Sequence, residues 1–154
     1  MTLAKDPDDI ETVRQMFQEY AASLDFSLRF QDFGEELLLL PGEYAGSGGC
    51  LLLAWHNREP AGCVALRRFS GSTCEMKRLF VRPKFRGLGY GRRLAEEAIH
   101  QAQKIGFRRM VLDTFGSMQA AIGLYTSLGF TEILPYRYNP LPGVRFFGVD
   151  LESK

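Results

Sequence analysis

The hydrophobic positions of this chain follow two periods, one helical and one alternating, and their order along the sequence predicts the elements. Asp6-Pro7 reads as a helix N-cap followed by proline at the first helical position. Ile10, Val13, Phe17, Tyr20, Ala21 and Leu24 then recur at helical spacing and predict a first helix to about Leu24. A second, short helix is predicted from Gln31 or Asp32 to Leu39, stopped by Pro41-Gly42, with residues 42–49 as a loop. Three strand-like runs follow: Cys50–His56, Ala61–Phe69 and Thr73–Val81. Asn57-Arg58-Glu59-Pro60 and Ser70-Gly71-Ser72 separate them as turns, and such short connections imply antiparallel neighbours.

The helical period returns after a glycine-rich turn, from about Gly89 to Ile105. Leu94, Ala98, Ala102 and Ile105 form its inner stripe, with Gly106 as a left-handed cap and Phe107 as the apolar residue behind it. Met110–Thr114 is a short strand. Ser117 is the expected cap of a further helix carrying Ala121, Leu124, Tyr125 and Leu128 on one side, closed by Gly129 and Phe130. Two last strands, about Phe130–Leu134 and Val144–Leu151, flank the loop of residues 135–143. The order ααβββαβαββ, with a short strand allowed at residues 1–4, predicts one mixed α/β domain over residues 1–154.

Composition narrows the class. Apolar residues are 45% and charged residues 24% of the 154, ordinary values for a globular protein. No apolar run approaches a membrane span, and the N-terminus lacks the blocks of a signal peptide, so a cytoplasmic protein with no membrane partner is expected. The three cysteines, Cys50, Cys63 and Cys74, have no C-x-x-C spacing and are expected to be free thiols in strands. His56 and His100 have no ligand partners nearby in sequence, so surface positions are expected and no metal site is.

Charge is near neutral in sum but unevenly placed. Residues 1–60 hold eleven Asp/Glu against four Lys/Arg, and residues 61–154 hold seven against fifteen. Seven of those fifteen lie between Lys77 and Arg93 with no acid among them, which points to an anionic ligand or a solvated basic face.

The densest signal is Val81-Arg82-Pro83-Lys84-Phe85-Arg86-Gly87-Leu88-Gly89-Tyr90-Gly91-Arg92-Arg93, entered from an apolar strand and left by an amphipathic helix. Glycines at 87, 89 and 91 let backbone N–H groups approach a bound anion, and the helix start adds its unpaired donors. Lys84, Arg86, Arg92 and Arg93 would neutralise charge, which suits a pyrophosphate. The spacing is neither G-x-x-x-x-G-K-[ST] nor the dinucleotide G-x-G-x-x-G.

Arg86-Gly87-Leu88-Gly89-Tyr90-Gly91 resembles the [QR]-x-x-G-x-[GA] motif of the GNAT superfamily of N-acetyltransferases. Leu79-Phe80-Val81-Arg82-Pro83 resembles that family's bulged fourth strand, and Ala121 to Phe130 resembles its A-x-x-L-Y-x-x-x-G-F signature. The resemblance implies a central mixed, mostly antiparallel sheet flanked by about four helices, with acetyl-CoA as co-substrate. It implies that the fourth and fifth strands splay, so that backbone of Leu79, Phe80 and Val81 holds the pantetheine arm while residues from Gly87 to Arg92 hold the pyrophosphate. A backbone N–H, that of Val81 by analogy, would polarise the thioester carbonyl. Tyr125 is the expected proton donor to the thiolate. Glu75, or Asp113 at the end of the fifth strand, is the expected base, with pairing to a neighbouring arginine as the alternative for either carboxylate. Strand alternation puts Glu75 on the face of Leu79 unless a bulge intervenes. The asparagine that many members carry near the start of the tyrosine's helix is Met118 here, so Ser117 or Gln119 would have to replace its contact.

The resemblance implies that the first two helices, their joining loop and the last strand pair line the acceptor site; here those parts include Phe26, Phe30 and Phe33 and the loop Tyr136-Arg137-Tyr138-Asn139, aromatic walls with one arginine. A small amine, or one that also bears a carboxylate, is expected; the acidic first sixty residues point toward a cationic acceptor such as a polyamine or lysine side chain. The enzyme is expected as a monomer or homodimer without nucleic-acid partners. Competing readings are a non-catalytic acyl-CoA-binding module, acetylation of protein or peptide amines, and a nucleic-acid-binding domain using residues 77–93.

Overall fold

The structure is a computed structural model that describes residues 1–24 and 32–151. Gln31, one expected start of the second helix, and Phe26 and Phe30, expected in the acceptor wall, lie outside the described residues.

Helix α1 (Pro7–Ala22) starts where the sequence places it, with the Asp6 carboxylate accepting the Asp9 N–H at 2.8 Å. Its apolar stripe of Ile10, Val13, Met16 and Phe17 is buried. Helix α2 (Phe33–Leu39) brings Phe33 and Leu37 against the same cluster. The expected loop tightens into two 3-10 turns, Gly42–Tyr44 and Gly46–Gly48, and the first buries Tyr44.

Seven strands form one sheet: β1 (Thr2–Leu3), β2 (Cys50–His56), β3 (Glu59–Ser70), β4 (Thr73–Val81), β5 (Arg109–Phe115), β6 (Thr131–Ile133) and β7 (Val144–Asp150). Their order is β1-β2-β3-β4-β5-β7-β6. Every neighbouring pair is antiparallel except β4 and β5, which the long α3 (Tyr90–Ile105) connects. A parallel pair requires such a crossover. Helix α4 (Gln119–Ser127) follows β5.

The sheet is covered on both faces. Val13, Phe17 and Tyr44 pack with Leu53, Cys63, Ala65 and Phe80 on one side. Leu94, Ala98, Ala102 and Tyr125 pack with Leu52, Val64, Met76 and Leu112 on the other. Burial on two faces is why Leu51–Ala54 and Ala61–Leu66 read as nearly unbroken apolar runs. The three cysteines are free thiols on β2, β3 and β4.

Two local expectations change. Ser117 does not cap α4: it is exposed, the cap position is Met118, and no side chain bonds there. The Met118 N–H closes a turn on the Phe115 carbonyl at 2.9 Å, which delays the helix by one residue. His56 is half-buried rather than a surface residue, because the end of β2 lies beneath the first turn of α3; its Nδ1 sits 2.8 Å from the Tyr90 hydroxyl. His100 is exposed. No described helix is long and apolar enough to cross a membrane.

Candidate active site

The site begins with an irregularity in β4. Val81 and Phe80 stand opposite Gly62 and Cys63, yet Lys77 stands opposite Ala65, so β4 carries one extra residue in this interval. Arg78 takes it up at φ +60°, unusual for a side chain other than glycine. The bulge reverses the alternation. Met76, Leu79 and Val81 belong to the cluster beneath α3 and α4, whereas Phe80 belongs to the one beneath α1. Lys77, opposite Ala65, shares that second face with Glu75. Glu75 and Leu79 therefore lie on opposite faces, and unbroken alternation is overturned. Gly62 makes room for the bulge, since a Cβ there would come 2.6 Å from the Phe80 carbonyl oxygen.

Ahead of the bulge, after Glu75, β4 and β5 part. Their parallel pairing runs only through Thr73–Arg109, Cys74–Met110 and Glu75–Val111. Both strands continue, β4 to Val81 and β5 to Phe115, with no ladder between them. A small cavity of about 80 Å³ opens in the gap. Its lining mixes the two faces: Tyr20, Lys77 and Asp113 from one side, Leu79, Met118 and Tyr125 from the other. Tyr125 is 7% exposed, and burial pushes its phenol well above the ordinary value, with Tyr20 and Asp113 adding to the shift, so it stays protonated.

The glycine turn lies at the end of β4. Gly87 and Gly89 have φ of +82° and +86°, and a Cβ at either would meet nothing within 4 Å. The outer side of the turn is thus open backbone, and α3 starts with no side chain capping its first N–H groups. This arrangement fits a diphosphate. Gly91 differs, because a Cβ there would touch Leu124 and Val81 at 3.8 Å. The Tyr90 side chain turns inward to His56 and to the Trp55 carbonyl, leaving only its backbone for a ligand. Arg86 donates through Nε to the Val81 carbonyl at 3.0 Å, Arg92 donates to Ser127 Oγ at 2.6 Å, and Leu88 is 56% exposed.

Among the described residues, three of the seven cations of the basic block are matched by acids of the protein itself. Arg78 lies on Glu36, Arg82 on Glu19 and Lys84 on Glu59. Glu19, Glu36 and Glu59 of the acidic first sixty residues thus neutralise part of the basic stretch, which weakens both charge excesses as signs of a cationic acceptor or of nucleic acid. Lys84, expected at the anion, is engaged by Glu59.

On the α1 and α2 face, Glu75 is fully buried and both its oxygens are occupied. Arg67 donates to Oε1 through Nε and Nη2 at 2.9 and 2.8 Å, Tyr136 donates to Oε2 at 2.6 Å, and Arg137 lies 3.5 Å from Oε2. Burial alone would raise the Glu75 pKa, but Lys77, Arg137, Arg67 and the Tyr136 bond together hold it below the usual range. Arg137 also donates to Asp113 Oδ2 at 2.9 Å, joined there by Asn139 at 3.2 Å. Its Nε is buried without a hydrogen-bond partner among the described residues. Tyr138 stays 83% exposed, and Phe33 packs under the Arg78 guanidinium.

The structure thus gathers Tyr125, Asp113, Leu79 and Met118 around one gap, with Glu75 at the point where pairing stops. Lys77, Arg78, Tyr20 and Gly62 were missed. Alternation from Glu75 already puts Lys77 on the same face, but a lysine ordinarily marks an exposed position, and nothing local marks Gly62 beyond its being a glycine within a strand.

The profile of the Acetyltransferase (GNAT) family matches residues 10–130. An uncharacterized N-acetyltransferase of Schizosaccharomyces pombe is 37% identical over 155 residues, covering 99% of this chain and 95% of the relative. An uncharacterized N-acetyltransferase of Dictyostelium discoideum is 30% identical, covering 86% and 90%. In fold, the chain is similar to a putative acetyltransferase from Salmonella typhimurium, whose structure holds its cofactor acetyl-CoA, at a TM-score of 0.78 and 20% identity over 99% of this chain and 95% of that one. The sheet parted at β4 and β5, the open glycine turn and these relatives have one reading: the chain belongs to the GNAT family of acetyltransferases, enzymes that use acetyl-CoA.

Proposed function

We propose that this enzyme transfers the acetyl group of acetyl-CoA by direct attack of a small amine, with amino-acid-like acceptors as the favoured class. The cavity between β4 and β5 carries the reading, because it joins Tyr125 on the cofactor side to Asp113 and Lys77 on the other. Backbone N–H groups from Gly87 to Arg92 hold the diphosphate, and the unpaired edge of β4 at Leu79, Phe80 and Val81 receives the arm. Acetyl-CoA supplies an activated acyl carbon at the gap. Tyr125, buried and protonated, gives its proton to the departing thiolate.

Asp113 is the carboxylate that meets the incoming ammonium. Glu75, expected as a base, serves instead as a fixed charge, since Arg67 and Tyr136 hold its oxygens. The buried Arg137 Nε is a donor for a carboxylate on the acceptor, which favours amino-acid-like molecules over simple amines. Thiol release from acetyl-CoA, measured with the common amino acids, alkylamines, spermidine and short peptides, tests this. Turnover of amino-acid-like acceptors is expected. Activity confined to protein N-termini overturns the acceptor class, and absence of acetyl-CoA binding by calorimetry overturns the whole reading.

A further inference from the structure

Lys77 is the one buried lysine among the described residues, at 7% exposure. Strand alternation sets it on the face of Glu75, two positions before it, and it lines the cavity that Asp113 and Tyr125 also line. A permanently charged ammonium in that wall would be costly, and the roles assigned so far leave it without a task.

We propose that Lys77 is the general base of the transfer, taking one proton from the acceptor's ammonium group before its nitrogen attacks the thioester. This rests on the acyl-transfer reading above. Burial lowers the pKa of the Lys77 amine, Arg78 lowers it further, Glu75 raises it, and Arg67 and Arg137 lower it again, leaving it at about 7. Tyr20 from α1, Asp113 from β5 and Tyr125 from α4 complete the titratable groups around the cavity, while Glu36 from α2 pairs with Arg78. A base balanced near neutrality combines availability with proton affinity. The cations that depress Lys77 also depress the ammonium of a bound acceptor, which narrows the gap the proton must cross. Glu75 is the positioning charge that keeps Lys77 from losing its basicity altogether.

The protons balance. An acceptor ammonium carries three, and the amide product keeps one. The first lost proton passes to Lys77 Nζ and frees the nitrogen lone pair. The C–N bond then forms at the acyl carbon, the C–S bond breaks, and the sulfur takes the Tyr125 phenolic proton. The second proton from nitrogen restores the phenol, and Lys77 returns its own to solvent.

Lys77→Met and Lys77→Arg, assayed with the best amine of the panel, test this. Calorimetric affinity for acetyl-CoA within roughly threefold of wild type shows that each variant is folded and competent. Both variants should lose on the order of 100-fold in kcat/KM, and the acid limb of the wild-type pH profile near neutrality should vanish from both. If Lys77→Arg keeps wild-type turnover, Lys77 is a fixed cation that anchors an acceptor carboxylate, and the proposal fails. NMR titration of lysine resonances in acceptor-free protein, with Lys77 assigned by its loss in Lys77→Arg, reads the claim apart from turnover. Neutralisation close to pH 7 is expected, and a Lys77 still charged at about pH 9 overturns it. A wild type that binds acetyl-CoA yet acetylates no amine overturns the transfer reading, and this proposal with it.

Discussion

The Arg78 guanidinium donates through Nε and Nη2 to the two carboxylate oxygens of Glu36, at 3.1 and 3.0 Å, and so ties the β4 bulge to α2. The Arg78 side chain is only 3% exposed and that of Glu36 14%. Arg82 does the same with Glu19 at 2.9 and 2.7 Å, tying the end of β4 to α1. Helices α1 and α2 are therefore fastened to the strand that lines the gap.

Removing one partner of a buried pair leaves an uncompensated charge, so Arg78→Ala should destabilise by about 3–5 kcal/mol. Lys84→Ala, which breaks the exposed pair with Glu59, should change stability by less than about 1 kcal/mol. Urea unfolding of both variants checks the contrast. Equal effects would mean that burial of the Arg78 pair is not what matters.

Tyr125→Phe keeps the ring beside Phe130, whose centroid is 5.7 Å away, and removes only the hydroxyl. Acetyl-CoA affinity and melting temperature should hold, while kcat falls on the order of 100-fold. A variant with wild-type kcat would assign the thiolate's proton to water.

Gly89→Val must either adopt φ of +86° or move the start of α3. The left-handed conformation costs a branched residue roughly 1–2 kcal/mol, and the displaced N–H groups should weaken acetyl-CoA binding at least about tenfold by calorimetry. Gly71→Val, at φ +54° in the β3–β4 turn, carries similar strain. It should leave that affinity unchanged.

Lys77 also links stability to pH. Its folded-state pKa of about 7 lies below that of an unfolded lysine. Between the two values the unfolded chain binds the extra proton, so stability rises with pH across that window. Below it, the folded protein carries the full penalty of a buried charge. Lys77→Met should therefore melt above wild type, most clearly near pH 6, with the difference shrinking toward about pH 10. Melting curves across that range check the sign. A difference that does not vary with pH would show that Lys77 is charged throughout.

Much of the architecture could be read directly. The helical stripe of α3 and its Gly106 cap, like the three apolar runs of β2 to β4, rest on contacts between residues close in sequence. Gly106 takes φ +107° and Phe107 is buried behind it, as the pattern predicts. Ser117 misled because a backbone turn at Phe115–Met118 competed with its side chain, and sequence does not rank those two bonds.

The candidate site was legible only in outline. Tyr125 and the glycine turn stood out because each sits in a local motif. Glu75 was placed on β4 with two readings, base or arginine partner, and local sequence could not choose between them, since its partners Arg67, Tyr136 and Arg137 come from β3 and from a loop some sixty residues later.

What the chain determined by itself is the succession of elements, which follows from side-chain periodicity and from glycine and proline at the joints. Which charges cancel and which stay buried was decided by folding. A single inserted residue at Arg78 turns Leu79 to the face away from Glu75 and Lys77, and long-range pairing brings the acidic helices onto the basic strand. Protonation responds to those distant neighbours, and no run of adjacent residues encodes them.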